Sequence, residues 1–132
     1  MRPRSGRTSL PAKVNCAQAR ETARRVLAEH DAPPALVADV LTVVSELVSN
    51  AIRHGEGLTG FRIAVSAGQV TIEVSDRSPL PPHLRPPSPD TPGGFGWRVV
   101  RTLAPGTFIR FHRGGKTITA TLPTPGSPPP TP

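Results

Sequence analysis

The sequence predicts a two-layer α/β sandwich in which a mixed sheet is covered by helices on one face. Three observations predict it. The segment Pro34 to His54 reads as one long helix with a broad apolar stripe, two pairs of period-2 runs are joined by turn residues, and the order is helix, helix, strand, strand, helix, strand, strand. The 132 residues suffice for one domain with a single core. With 36% apolar residues, four Phe, one Trp and no Tyr, that core is built mainly from Val, Leu, Ile and Ala.

Residues 1 to 12 read as a flexible basic arm. Val14 to His30 follows as a helix, with Ala17, Ala23, Val26 and Leu27 sharing much of one face, Asn15 or an earlier residue as its cap, and Pro33-Pro34 as its end. The second helix starts at Pro34, tolerated in a first turn, and stops at the glycines Gly55 and Gly57. Leu36, Val40, Val43, Leu47 and Ala51 make one stripe, which Val37, Leu41, Val44, Val48 and Ile52 widen. Apolar cover this broad belongs to a helix buried against a sheet. Phe61 to Ser66 and Val70 to Ser75 alternate in period 2 around Ala67-Gly68-Gln69, a hairpin signal. A proline-rich loop runs from Asp76 to Pro92, and Gly93-Gly94-Phe95-Gly96 leads into a short helix, Gly96 to Leu103. Thr107 to His112 and Lys116 to Leu122 form the last strand pair around Arg113-Gly114-Gly115, and residues 123 to 132 read as a disordered Pro-rich tail.

Composition narrows the function classes. Of 18 prolines, six lie in the last ten residues and seven between Pro79 and Pro92. The net charge of +7 raises nucleic acid as a partner, but beyond Arg2, Arg4 and Arg7 the arginines are scattered singly with little aromatic interleaving. A solvated basic surface with an acidic protein partner fits better, and nucleic acid is not expected. The single Cys16 excludes an internal disulfide, and the four histidines lack metal-ligand spacing. No apolar run approaches a membrane span and no signal peptide is recognisable, so a cytoplasmic protein without a membrane partner is expected.

The polar face of the second helix carries the chemistry. Glu46 and Asn50 stand four residues apart and project together, with Arg53 and His54 near that face one turn on. A carboxylate beside an amide oxygen suits Mg2+, which takes oxygen ligands alongside phosphates. Glu46 suits equally a base that deprotonates an attacking hydroxyl, and both residues also suit an ordinary helix surface. Asp76 ends a strand, where its carboxylate can accept from an exocyclic amine such as that of adenine or can make an Asx turn. Gly93, Gly94 and Gly96 let backbone approach a phosphate at a helix N-terminus. Gly115-Lys116-Thr117 sits in a hairpin, without the upstream glycine and following helix of a phosphate-binding loop.

In order and spacing these features resemble one family. Ser45-Glu46-Leu47-Val48-Ser49-Asn50-Ala51-Ile52-Arg53-His54-Gly55 looks like the N box of the histidine-kinase-like (GHKL) ATPases. Val74-Ser75-Asp76-Arg77-Ser78 resembles their first glycine box, Gly94-Phe95-Gly96 the second, and the Gly114-Gly115-Lys116-Thr117 hairpin the segment closing the sheet. The likeness covers about Val14 to Leu122 and is greatest to the bacterial anti-sigma-factor serine kinases. It implies the Bergerat ATP-binding fold over residues 13 to 122 and a regulatory serine/threonine kinase using Mg-ATP. Asn50 would hold the Mg2+, Glu46 would be the catalytic base, Asp76 would read the adenine amine, Gly94 and Gly96 would cradle phosphates, and Thr117 would lie near the adenine, with His54 beside the ligand. The implied partners are an anti-anti-sigma (STAS-type) protein, a sigma factor, and a second copy of the chain. Ser78 and Pro79 stand where glycines are common, Trp97 follows Gly96 where a small aliphatic residue is common, and the segment between the boxes is short and proline-laden. No phosphoacceptor-histidine or dimerisation helix is recognisable, which argues against a complete sensor kinase. A module of the same fold that binds partners without chemistry is the alternative.

Overall fold

A computed structural model describes residues 6–10, 14–66, 68–81 and 96–125. It contains β1 (Gly6–Leu10), α1 (Cys16–Glu29), α2 (Pro34–His54), β2 (Leu58–Ser66), β3 (Gln69–Asp76), α3 (Gly96–Leu103), β4 (Phe108–His112) and β5 (Gly115–Pro123). The strands form one sheet in the order β1-β2-β3-β5-β4, and every pairing among them is antiparallel. The two-layer α/β sandwich stands, but the mixed sheet expected from the sequence is corrected to an antiparallel one. Tight hairpins, which can only join antiparallel neighbours, account for β2–β3 and β4–β5, while β1–β2 and β3–β5, joined through helices, are antiparallel by register.

Local rules set the helix ends. Asn15 caps α1 through a reciprocal box, its side chain accepting from the Gln18 N–H at 2.8 Å and its own N–H donating to Gln18 Oε1 at 2.9 Å. Pro34 occupies the first turn of α2, where its missing N–H costs nothing, and the Gly55 N–H closes the last turn on the Ala51 carbonyl. Arg53 and His54 fall in that last turn, favourable against the negative end of the helix dipole.

The core lies between the helices and one sheet face. Three rungs cross β2, β3 and β5 in register, Phe61–Val74–Ile118, Ile63–Ile72–Ala120 and Val65–Val70–Leu122, and all nine side chains are buried. Against them α2 lays Val40, Val43, Val44, Leu47 and Val48, each fully buried. Each such side chain contributes roughly 1.5–3 kcal/mol of burial free energy. At 21 residues α2 is long and apolar enough to cross a membrane, contrary to the expectation from the sequence, but it carries Asp39 and Glu46 off its buried stripe and packs as a core helix against the sheet and α1.

Two expectations at the chain ends meet the structure differently. Gly6–Leu10, assigned to the flexible arm, pairs as β1 with the outer edge of β2, from Gly6 opposite Val65 to Leu10 opposite Phe61. An unpaired strand edge offers a row of backbone donors and acceptors, and that row suffices to recruit a polar segment with no apolar alternation of its own. At the other end Pro123 still belongs to β5, and the Thr124 N–H donates to the Gly68 carbonyl. The rest of the tail, 126–132, and the loop 82–95 lie outside the described residues.

Candidate functional site

The apolar ladder of the sheet ends on a charged rung. The register that pairs Val74 with Ile118 pairs Asp76 with Lys116 two residues on, so both charged side chains belong to the core face. They are buried, at 3% and 4% exposure, and Lys116 Nζ donates to Asp76 Oδ1 at 3.0 Å. Oδ1 also accepts from the Ser78 N–H at 2.9 Å, the Asx turn that the strand end permits, and Nζ reaches the Ser78 carbonyl at 3.5 Å. Buried charges persist only when paired in this way, and removing one partner of such a pair costs about 3–5 kcal/mol.

Glycines bring the neighbouring backbones against this pair. Gly55, at the end of α2, leaves a Cβ-sized space that the Asp76 side chain fills. Gly115, at φ 137°, presses the β4–β5 turn on the Asp76 and Arg77 backbone, where a side-chain carbon would overlap the Asp76 carbonyl oxygen. The Arg77 N–H in turn donates to the carbonyls of Gly55 at 2.9 Å and Gly57 at 3.2 Å, tying the loop after α2 to the end of β3. A cavity of about 30 Å³ remains here, lined by Asn50, His54, Gly55, Asp76, Leu80, Pro81, Lys116 and Ile118. That is room for one or two waters.

Asn50, His54 and Asp76, three of the residues singled out in the sequence, therefore meet at one cavity. Glu46 and Gly96 meet one helical turn away: the Gly96 N–H, at the start of α3, bonds the Glu46 carboxylate. Desolvation raises the Glu46 pKa above its ordinary value, opposed by the Gly96 N–H and then by the Arg53 charge. Gly94 lies outside the described residues. Thr117 does not join the group. One residue from Lys116, it points to the opposite sheet face, where its hydroxyl bonds Ser75 Oγ at 2.8 Å and His112 Nε2 at 3.0 Å. The expectation that Thr117 lies beside the base is corrected by the period of the strand, which turns successive side chains to opposite faces.

Lys116 was missed in the sequence, although a signal for it exists. Counting back by two from the buried Leu122, Ala120 and Ile118 lands on Lys116, a charge in an inward position. Cys16, the chain's single cysteine, packs at the core edge with its Sγ 3.8 Å from the Ser45 carbonyl and from Ser49 Oγ.

The donor set fits a magnesium nucleotide at its polar ends. Asn50 offers a hard amide oxygen, the start of α3 offers N–H groups for an anion, and Asp76 offers a carboxylate at the far side. At about 30 Å³, with the exposed Leu80 and Pro81 in its lining, the cavity as it stands is smaller than a purine base.

A two-layer sandwich with these elements is the architecture of a histidine kinase-like ATPase domain, whose family model matches residues 9–122, and the chain belongs to that family. Among its relatives are proteins named anti-sigma F factor from two strains of Clostridium botulinum, each 30% identical over 112 residues, covering 75% of this chain and 78% of the relative. The crystal structure of the RsbU and RsbW domains of Rv1364c from Mycobacterium tuberculosis superposes with a TM-score of 0.66 at 25% identity. That match covers 94% of this chain and 34% of the longer one.

Proposed function

We propose that the protein is an anti-sigma-type serine/threonine kinase that binds Mg-ATP, phosphorylates a serine on an anti-anti-sigma partner, and otherwise sequesters a sigma factor. The observation that carries this reading is the convergence of Asn50, His54 and Asp76 on one cavity, with Glu46 beside them at the start of α3. The relatives named anti-sigma F factor support the regulatory part of it.

Each residue has a task in this reading. The Asn50 amide oxygen holds Mg2+, the Gly96 N–H and its helix end, with Gly94 before them, hold phosphate, and Asp76 accepts from the exocyclic amine of adenine. Bound Mg-ATP supplies the phosphoryl group. Glu46 takes the proton of the attacking serine hydroxyl, a task that a carboxylate with a raised pKa performs better than an ordinary one. His54 lines the cavity beside Asn50. Thr117, on the other face, has no part in it.

The test is incubation of the protein and its partner with labelled ATP and Mg2+. Asn50→Ala loses nucleotide binding, whereas Glu46→Ala keeps most of the binding and loses transfer. Calorimetry in which the wild type has no affinity for ATP or ADP overturns the reading. Two contacts favour a second reading, a partner-binding module without chemistry: Lys116 already holds the Asp76 carboxylate, and Gly96 already holds Glu46. Under it the same incubation gives a stable complex and no labelled partner.

A further inference from the structure

The end of the sheet away from Asp76 holds a larger cavity. His30 ends α1, and its Nδ1 lies 2.9 Å from the Val26 carbonyl oxygen. A carbonyl oxygen only accepts, so Nδ1 carries the hydrogen, and in the neutral ring Nε2 is left as an acceptor. Nε2 is buried, and no hydrogen-bond partner reaches it among the described residues. A buried polar atom in this state is an exception in folded proteins and calls for a donor. His30 lines a cavity of about 180 Å³ with an apolar wall, formed by Leu27 and Leu36 of the helices and by Val65 and Val70, which face each other beside the β2–β3 turn. All four are buried. Val70 and Asp76 stand at opposite ends of β3, about 20 Å apart by the rise of a strand, so this cavity is separate from the candidate nucleotide site.

We propose that this cavity is a second ligand site, which takes a small neutral aromatic molecule carrying a single hydrogen-bond donor, as phenol does. The inference goes beyond the nucleotide reading and does not depend on it. Three features select the ligand's chemistry. An apolar cavity of about 150 Å³ holds a benzene ring, so one of about 180 Å³ holds a ring with a substituent. The buried Nε2 accepts one hydrogen bond, so the substituent is an O–H or N–H, and a ligand without a donor leaves the nitrogen unpaired. Asp31, exposed in the lining, puts a negative charge at the open side and disfavours phosphates and carboxylates.

The test is calorimetry on the full chain at pH 8 with phenol and toluene, which match in shape and differ in the donor. The wild type binds phenol with a Kd of about 1 mM or tighter, a modest affinity for so small a ligand, and at least as tightly as toluene. An apolar cavity without an acceptor orders the two the other way, because phenol then buries its hydroxyl unpaired. His30→Asn keeps an amide N–H near the place of Nδ1 for the Val26 carbonyl and removes Nε2, so phenol weakens relative to toluene by about tenfold. His30→Gln, whose longer side chain brings an amide oxygen near the place of Nε2, recovers part of that ratio. Circular dichroism melts accompany both variants. Should neither fold, NMR on the wild type decides: phenol shifts the His30 Nε2 resonance and the Val65 and Val70 methyls, and leaves those of Val74 and Ile118 in place. A wild type that binds no phenol overturns the proposal, as does a ratio unchanged in His30→Asn or lowered alike in both variants. So do methyl shifts confined to Val74 and Ile118. Phenol binding only after residues 126–132 are removed also overturns it, since the chain's own end then fills the cavity.

Discussion

Gly55→Ala isolates the fit between the end of α2 and Asp76. Gly55 has φ −95°, a value any residue adopts, so the substitution acts through sterics alone. A Cβ placed there lies 2.6 Å from the Asp76 carboxyl carbon, 2.7 Å from its Cβ and 2.7 Å from the Ala51 carbonyl oxygen. To reach an ordinary contact of 3.4 Å the carboxyl carbon must retreat by about 0.8 Å, and the strand pairing with β5, the Lys116 ion pair and the Ser78 N–H all resist it. Overpacking of this kind costs about 1–3 kcal/mol, offset by the roughly 0.4–1 kcal/mol gained when alanine stiffens the unfolded chain. The net loss of about 1–2 kcal/mol lowers the melting temperature by about 4–8 °C for a domain of this size. The assay is thermal unfolding by circular dichroism, with Gly60→Ala as control. A Cβ at Gly60 meets its nearest neighbour, the Ser75 Cβ, at 3.9 Å, so the control melts within about 2 °C of the wild type. Equal melting temperatures for Gly55→Ala and the wild type refute the claim that Gly55 holds Asp76 in place.

Other outcomes follow from the same contacts. Glu46 has a folded-state pKa raised above 4.5, so the folded protein holds its proton more tightly than the unfolded chain does. Its contribution to stability is present below that value and is lost as pH rises through the raised one. Melting curves from pH 4 to 7 therefore show the wild type losing ground to Glu46→Gln as pH rises; parallel curves contradict the burial of Glu46. Leu47→Ala empties a fully buried position on the same helix and costs about 2–5 kcal/mol in urea denaturation. Asn15→Ala removes both bonds of the α1 capping box and costs about 1 kcal/mol by the same measurement.

Patterns with a short period were legible in the sequence. Of the caps left open for α1, Asn15 or an earlier residue, the structure uses Asn15; α2 runs from Pro34 to His54 as its proline and glycines require, and α3 spans Gly96 to Leu103 as the glycine cluster suggests. The strand pairs also stand, with ends that differ by one to three residues. What was hidden depends on register and on tertiary neighbours. Lys116 and Asp76 are forty residues apart in the chain and become partners only through the β3–β5 register. Lys116, and not Thr117, turns to Asp76 and its cavity, a difference of one residue, and in a strand one residue exchanges the faces. β1 carries no alternation to read, because its pairing is through backbone to an edge already formed. Within the candidate site, Glu46, Asn50, His54 and Asp76 were recognisable as a group by spacing and resemblance, whereas the protein groups that hold Glu46 and Asp76 were not.

Those holding groups bear on how a nucleotide would sit. A phosphate at the start of α3 meets the N–H that already holds the Glu46 carboxylate, and two anions at one helix end repel each other. Asn50 stands one turn along α2 from Glu46, with an amide oxygen and no charge of its own. A carboxylate there would raise the anionic charge further, whereas an amide coordinates a cation without adding to it. A cation held by Asn50 would offset the repulsion between Glu46 and the phosphates, and Arg53, whose charge lowers the Glu46 pKa, acts in the same direction. At the opposite end the balance is reversed. Asp76 and Lys116 cancel within the cavity wall, so that end is suited to a neutral ring and the Asn50 end to charge. Under the proposed reading this polarity would orient a magnesium nucleotide with its base toward β3 and β5 and its phosphates toward α3.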